Sequence, residues 1–179
     1  MTAETYTLTV PGPMLHRGFW LYVWRIIVPD GRELLYVGRT GDNSSPHASP
    51  AYIRMGQHLG NAKTQNALRR HLTDRGILPE QCAEFDLVAH GPIHPEVEKP
   101  ADYRHDDKKI RATLMELHLP IRDRIGAMEK RLADDLRTVG YEVMNTVKWK
   151  PTVTNDDWQP ILEAFAKKFP KLLLLGDSN

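Results

Sequence analysis

Two tyrosines and a cation are the first candidates for chemistry in this chain. The stretch Leu35-Tyr36-Val37-Gly38-Arg39-Thr40 closes one strand-like run, and the run before it, Phe19 to Val28, carries Tyr22. A phenol with a pKa near 10 is a poor base on its own. A neighbouring guanidinium favours its anion, and Arg39 is placed for that role. Further on, Arg54 and His58 stand four apart, which puts both on one face of a helix. Arginine grips two oxygens of a phosphate at once, and histidine takes or gives a proton near neutral pH. The plain alternative is strand filler, since tyrosine packs well on a half-buried pleated surface. On that alternative His58 is an ordinary surface or core histidine.

For the tyrosines to meet, the hairpin register has to be right. Val28-Pro29-Asp30-Gly31 suits a three-residue loop, with proline at the second turn position and glycine in the left-handed region forming a bulge. Val28 then pairs with Arg32, Tyr22 faces Gly38 and Trp24 faces Tyr36. Tyr22 and Tyr36 become diagonal neighbours on one face, roughly 7 Å apart. A two-residue Asp30-Gly31 turn would shift the pairing by one and put the tyrosines on opposite faces. Gly38, opposite Tyr22, is expected to leave that phenol uncovered.

Other elements must frame the hairpin. Thr5 to Val10 alternates and predicts a short edge strand, ended by Pro11-Gly12-Pro13. Gly41 to Pro50 reads as irregular loop. Ser49 followed by Pro50 opens a helix that holds Arg54 and His58. A second helix is expected from about Gln65 to Asp74, stopping near Gly76. Phe85 to Ala89 predicts a third strand, Gly91 to Pro100 a proline-punctuated loop, and Tyr103 to His118 a helix. Pro120 opens the next helix, which runs to Val139 with Gly140 as its stop. Its residues Ile121, Ile125, Met128, Leu132, Leu136 and Val139 make a helical stripe. Asp156 to Lys168 predicts a last helix. The expectation is an α/β (α+β) fold, with a small, largely antiparallel sheet of about three strands flanked by helices.

At 179 residues the chain fits one domain. Its 41% hydrophobic and 26% charged composition is that of a soluble globular protein. No apolar run approaches the ~20 residues that cross a bilayer, so no membrane partner is expected. The opening MTAETYTLTV lacks a basic region followed by an apolar block, and no signal peptide is expected. One cysteine, Cys82, allows neither an internal disulfide nor a Cys-pair zinc site. It reads as a buried or inert thiol, and the expected compartment is the cytoplasm.

The net charge of +1 hides an uneven distribution. Arg54 to Arg75 carries five bases against Asp74, Glu80 to Asp107 carries eight acids against Lys99 and Arg104, and Lys108 to Lys150 carries ten bases against six acids. Two basic blocks split by an acidic one can form a polyanion-binding face. Solvated helix faces would give the same counts.

Taken in order, Tyr22, the run Tyr36-Val37-Gly38-Arg39-Thr40, Arg54 with His58, Glu129 and Asn145 resemble the motifs of the GIY-YIG nucleases, over about Phe19 to Asn145. The resemblance implies a GIY-YIG-like domain and an endonuclease that hydrolyses DNA phosphodiesters with one Mg²⁺ (or Mn²⁺). Tyr22, assisted by His58 or Tyr36, would activate water with Arg39 beside it. Arg54 would bear on the phosphate and Glu129 would hold the metal, with Asn145 as the terminal motif residue. Gly38, Thr40, Arg69 and Arg70 are expected on the substrate. Trp20 departs from the pattern where the first motif has glycine, and Leu21 replaces isoleucine. The acidic stretch 80–107 reads as an insertion without a motif, and 151–179 as a helical extension. Glu116 and Glu142 compete with Glu129 but lack the helix stop and asparagine that follow it.

Two other classes remain open at the level of sequence. One is a nucleic-acid-binding module on the same scaffold without cleavage, and the other is a protein-interaction domain with a merely packed hairpin. Glu129 lies at the boundary of its helix's apolar stripe, where salt-bridged glutamates are common. His90 with His94, or His105 with His118, make no convincing metal set, and His105 beside Asp106 and Asp107 reads as solvated. Trp149, between Lys148 and Lys150, either stacks on a base or covers the core. DNA specificity would come from the 41–50 loop, the acidic stretch or a homodimer.

Overall fold

The computed structural model describes residues 3–62, 66–101, 103–104 and 107–178. Lys63, Gln65, Asp102, His105 and Asp106, which entered the charge blocks and predicted helices, lie outside them. Strands β1 (Phe19–Ile27) and β2 (Glu33–Arg39) pair antiparallel, with Tyr22 opposite Gly38 and Trp24 opposite Tyr36. The turn sets this register as predicted. Gly31 sits at φ +83°, its N–H donates to Val28 O at 2.9 Å, and the Val28 N–H donates to Arg32 O at 3.0 Å. Strand β3 (Glu84–His94) pairs antiparallel with the other edge of β1, giving the order β2-β1-β3. Helices α1 (Ile53–Leu59), α2 (Ala67–Thr73), α3 (Lys108–Thr138) and α4 (Asn155–Ala166) flank it. The fold is the expected α+β.

Strand alternation divides the core between two faces. Phe19, Leu21, Val23, Leu35 and Val37 pack with Ile125, Met128, Leu132 and Leu136 of α3 and with Trp158 and Phe165 of α4. Tyr22, Trp24, Ile26 and Leu34 pack with Leu68 and Leu72 of α2. Each such side chain contributes about 1.5–3 kcal/mol on leaving water. This division decides which residues can reach which half of the functional site.

Several boundaries differ from expectation. Residues 5–10 form no strand; Tyr6 and Leu8 are 84% and 72% exposed. Alternation supplies a strand-like pattern but no neighbour to bond, and the outer edge of β2 is occupied by the 142–145 segment. Helix α1 begins at Ile53, after a Pro50–Tyr52 turn in which Ile53 N–H donates to Pro50 O at 3.2 Å. β3 runs on through Gly91 and Pro92, which sequence alone reads as loop. It is an edge strand, where the proline's missing N–H leaves no ladder bond unmade. Its register on β1 shifts between Leu21 and Phe19. There the Trp20 ring lies against Gly91, where a side chain would come within 2.8 Å of it. Residues 84–94 of the acidic stretch thus supply the third strand of the sheet.

The predicted helix break at Pro120 is absent, because α3 is one helix of 31 residues with Pro120 inside it. An interior proline costs about 3 kcal/mol. Packing of Ile125, Met128, Leu132 and Leu136 on the sheet offsets that loss. The helix starts at Lys108, because the Asp107 side chain accepts from the N–H groups of Lys109 and Ile110. It stops as predicted: Gly140 takes φ +85° and the Tyr141 N–H returns to Leu136 O at 3.0 Å. Among the described residues, no helix is long and apolar enough to cross a membrane.

Candidate active site

A cavity of about 490 Å³ opens where β2 ends, lined by Tyr22, Tyr36, Gly38, Arg39, Arg54, His58 and Glu129 together with residues 41–44. Six of these seven come from β1, β2 and α1, and Glu129 comes from α3. Seven of the sequence-predicted site residues are thus brought together, and four are not.

One half of the cavity is aromatic. The Tyr22 hydroxyl lies 2.7 Å from His58 Nε2, and the Tyr36 ring centroid lies 5.1 Å from that of His58. Gly38 does not leave Tyr22 uncovered as expected. The phenol ring fills the space a side chain would take, so that a Cβ at Gly38 would fall 2.5–2.6 Å from it, and Tyr22 is only 2% exposed. Burial pushes the Tyr22 phenol well above its usual range, more than Arg54 and Arg39 pull it down. Burial likewise raises Tyr36 to about 12. His58 is driven down to about 4 by burial first and by Arg54 second, so its ring is neutral at pH 7.

The other half is ionic. Successive residues of a strand face opposite ways, so Arg39 sits on the α3 face while Tyr36 and Gly38 sit on the α1–α2 face. From that face Arg39 still favours the Tyr22 anion, though less than Arg54 does. The Arg39 Nε lies 3.1 Å from Glu129 Oε2, with side chains only 9% and 16% exposed. Nη1 and Nη2 of Arg39 donate to Gly41 O at 2.8 Å and Asn43 Oδ1 at 3.2 Å. Burial raises the Glu129 carboxyl to about 7, against the pull of Arg39 and Arg54. Trp149 belongs to this half: its ring lies under Arg39 at 4.9 Å and Arg122 at 5.4 Å, and its Nε1 donates to Asp123 O at 3.0 Å. Glu116 and Glu142 are exposed and line no part of the cavity.

Arg54 joins the halves. Its Nη1 donates to Gln57 Oε1 at 2.8 Å and its Nη2 to Asp42 Oδ1 at 3.2 Å. Its buried Nε has no hydrogen-bond partner among the described residues. The 41–50 loop that carries Asp42 is anchored from several sides. His118 Nε2 bonds to Asp42 O at 2.9 Å, Arg111 donates to Ser44 O, and Glu96 accepts from the Ala48 N–H at 2.8 Å. Asp42, His118 and Trp149 were not singled out as site residues by sequence. The available signal was position: a polar loop leaving a strand end through a glycine, here Gly41 at φ +101°.

Three of the other four predicted residues, Thr40, Asn145 and Arg69, bond to the scaffold, and Arg70 lies outside the cavity lining. Thr40 is buried, its Oγ1 donating to Gly18 O at 2.7 Å and accepting from the Trp20 N–H at 2.9 Å, so it cannot meet substrate. Asn145 clamps the edge of β2: its side chain accepts from the Val37 N–H at 3.0 Å and donates to Val37 O at 2.8 Å. An amide carries the donor and acceptor that a strand edge offers. Arg69 ties Leu59 O to Glu80, at 2.8 Å and 2.6 Å, and Arg70 is exposed beyond the cavity lining. Cys82 is half-buried, with its thiol raised first by burial and then by Glu80.

Among the described residues, no group of three or more His, Cys, Asp or Glu side chains could hold a metal ion. Magnesium needs less, because it keeps several waters and binds one or two carboxylates plus substrate phosphates. Glu129 fits that role. Its Oε2 is paired with Arg39, while Oε1 carries no hydrogen bond among the described residues and the side chain lines the cavity. No family model, curated protein or solved structure matches this chain.

Proposed function

We propose that the cavity at the end of β2 is the active site of a GIY-YIG-like endonuclease, cleaving DNA phosphodiesters in the cytoplasm with one divalent metal ion. The observation that carries the reading is the pairing of Tyr22 with a neutral His58, in one cavity with Arg54 and the Arg39–Glu129 pair. Tyr22 remains a phenol at neutral pH, so it works as a base only if its own proton has somewhere to go. His58 Nε2, 2.7 Å away, accepts that proton while the phenol oxygen takes one from the attacking water. Arg54, which lines the cavity, offers its Nη groups to the phosphate oxygens. Glu129 would hold Mg²⁺ or Mn²⁺, whose charge would stabilise the negative charge that develops on the departing oxygen. Gly38 contributes by making room for the Tyr22 ring, not by touching DNA.

The test is cleavage of supercoiled plasmid with Mg²⁺, and its absence with EDTA. Glu129→Gln is expected to lower the rate by ~10³-fold or more, since losing one charge-stabilising group already costs about 10²–10³. DNA binding by that variant should persist. Undiminished cleavage would move the metal ligand elsewhere. Binding without cleavage by the wild-type chain, under either metal, would make it a nucleic-acid-binding module.

A further inference from the structure

The Arg54 guanidinium is only partly committed. Nη2 meets Asp42 Oδ1 at 3.2 Å, Nη1 meets Gln57 Oε1 at 2.8 Å, and the buried Nε meets nothing among the described residues. A guanidinium receives a phosphate through a pair of adjacent N–H groups. In the present arrangement one of its outer groups already holds an acid.

Charge sharpens the point. The cavity is lined by two guanidiniums, Arg39 and Arg54, and two carboxylates, Asp42 and Glu129. An entering phosphodiester competes for the N–H groups of Arg54, so the carboxylate that holds them has to withdraw. Glu129 sits on a long helix with its side chain 16% exposed and paired to Arg39. The Asp42 side chain is 39% exposed. Its backbone is pinned on both sides, by the N–H to His47 O at 2.9 Å and by His118 on its carbonyl. Only the carboxylate has to turn, and its other oxygen, Oδ2, already accepts from Ser45 Oγ at 2.8 Å.

We propose that Asp42 is an in-chain stand-in for the substrate phosphate: it occupies the Arg54 fork in the free protein and is displaced when DNA enters. This rests on the nuclease reading and adds to it a residue that sets the threshold for substrate engagement. Removing the Asp42 charge frees the Arg54 fork, so DNA binding tightens, which is the opposite of what deleting an ordinary site residue does.

The experiment measures binding of a fluorescein-labelled DNA duplex by anisotropy in EDTA, with Glu129→Gln as the non-cleaving background. Adding Asp42→Asn is expected to lower Kd about fivefold, or ~1 kcal/mol, the upper end for a partly exposed ion pair. The same change made in an Arg54→Ala background is expected to give no gain. An equal gain in both backgrounds would mean general charge relief and overturn the inference, as would an unchanged or raised Kd with Arg54 present. Melting temperatures check folding, and Asp42→Ser replaces the Asn variant if the latter melts early. If the Glu129→Gln protein binds no duplex, the nuclease reading fails and this inference with it. Binding that ignores Asp42 sinks the inference alone.

Discussion

The two faces of one small sheet build opposite halves of the same cavity. The α1–α2 face contributes Tyr22, Tyr36 and His58, in which burial keeps every group uncharged. The α3 face contributes Arg39 and Glu129, in which burial raises the carboxyl to about 7 against the pull of a guanidinium 3.1 Å away. Desolvation is common to both, and cations act on both. What differs is direct contact, since Glu129 is ion-paired with Arg39 whereas the Tyr22 hydroxyl bonds a neutral His58. Strand parity makes that difference, since Gly38 and Arg39 are adjacent in sequence and belong to different halves.

pH separates the halves most widely. His58 falls from 6.5 to about 4, so its contribution to stability is present above 6.5 and is lost as pH falls toward 4. Glu129 rises from 4.5 to about 7, so its contribution is present below 4.5 and is lost as pH rises through 7. Each is worth up to ~3 kcal/mol, with opposite slopes between pH 4.5 and 6.5, where they offset each other. In denaturant titrations with EDTA, Glu129→Gln is expected to gain stability relative to wild type as pH rises through that window. His58→Gln should lose it. Variants whose pH profiles both track wild type would erase the distinction between the halves.

Catalysis gives the next largest effect. Tyr22→Phe keeps the ring and removes the oxygen that bonds His58, so plasmid cleavage should slow by ~10²-fold, the scale for a general base. Folding loses one buried hydrogen bond, about 1 kcal/mol. Full activity would leave His58 as the base and reduce the tyrosine to packing. The smallest effect belongs to Gly38→Ala. Its Cβ would lie 2.5–2.6 Å from the Tyr22 ring, which must shift, at about 1–3 kcal/mol for an overpacked site. A melting temperature equal to wild type would show that the aromatic half has slack.

What was legible in the sequence is what short-range geometry determines. Pro29-Asp30-Gly31 fixes the hairpin register, and with it the shared face of Tyr22 and Tyr36. The stripe from Ile125 to Leu136 and the Gly140 stop fix where Glu129 points. The pairing of Arg39 with Glu129 was not foreseen, because it depends on strand alternation turning Arg39 to the α3 face. Thr40 and Asn145 looked chemical, but their partners are backbone groups of Gly18, Trp20 and Val37, which no local pattern reveals. Pro92 and Pro120 punctuate the sequence without breaking the chain, one on a sheet edge and one inside a helix packed on the core. Asp42 was invisible for a related reason: its meaning depends on Arg54 and His118, brought to it by the closing of a loop.

Helix α3 carries a consequence for precision. At 1.5 Å per residue its 31 residues form a rod of about 46 Å. Arg111 and His118 hold Ser44 and Asp42 from it, Glu129 stands in the cavity, and Arg137 holds the carbonyl of Asn145. The loop, the carboxylate and the clamp on β2 are therefore all gauged from one ruler. A small slide of α3 along the sheet carries them together, so displacement relative to the sheet is largely common-mode and their mutual spacing is the better conserved quantity.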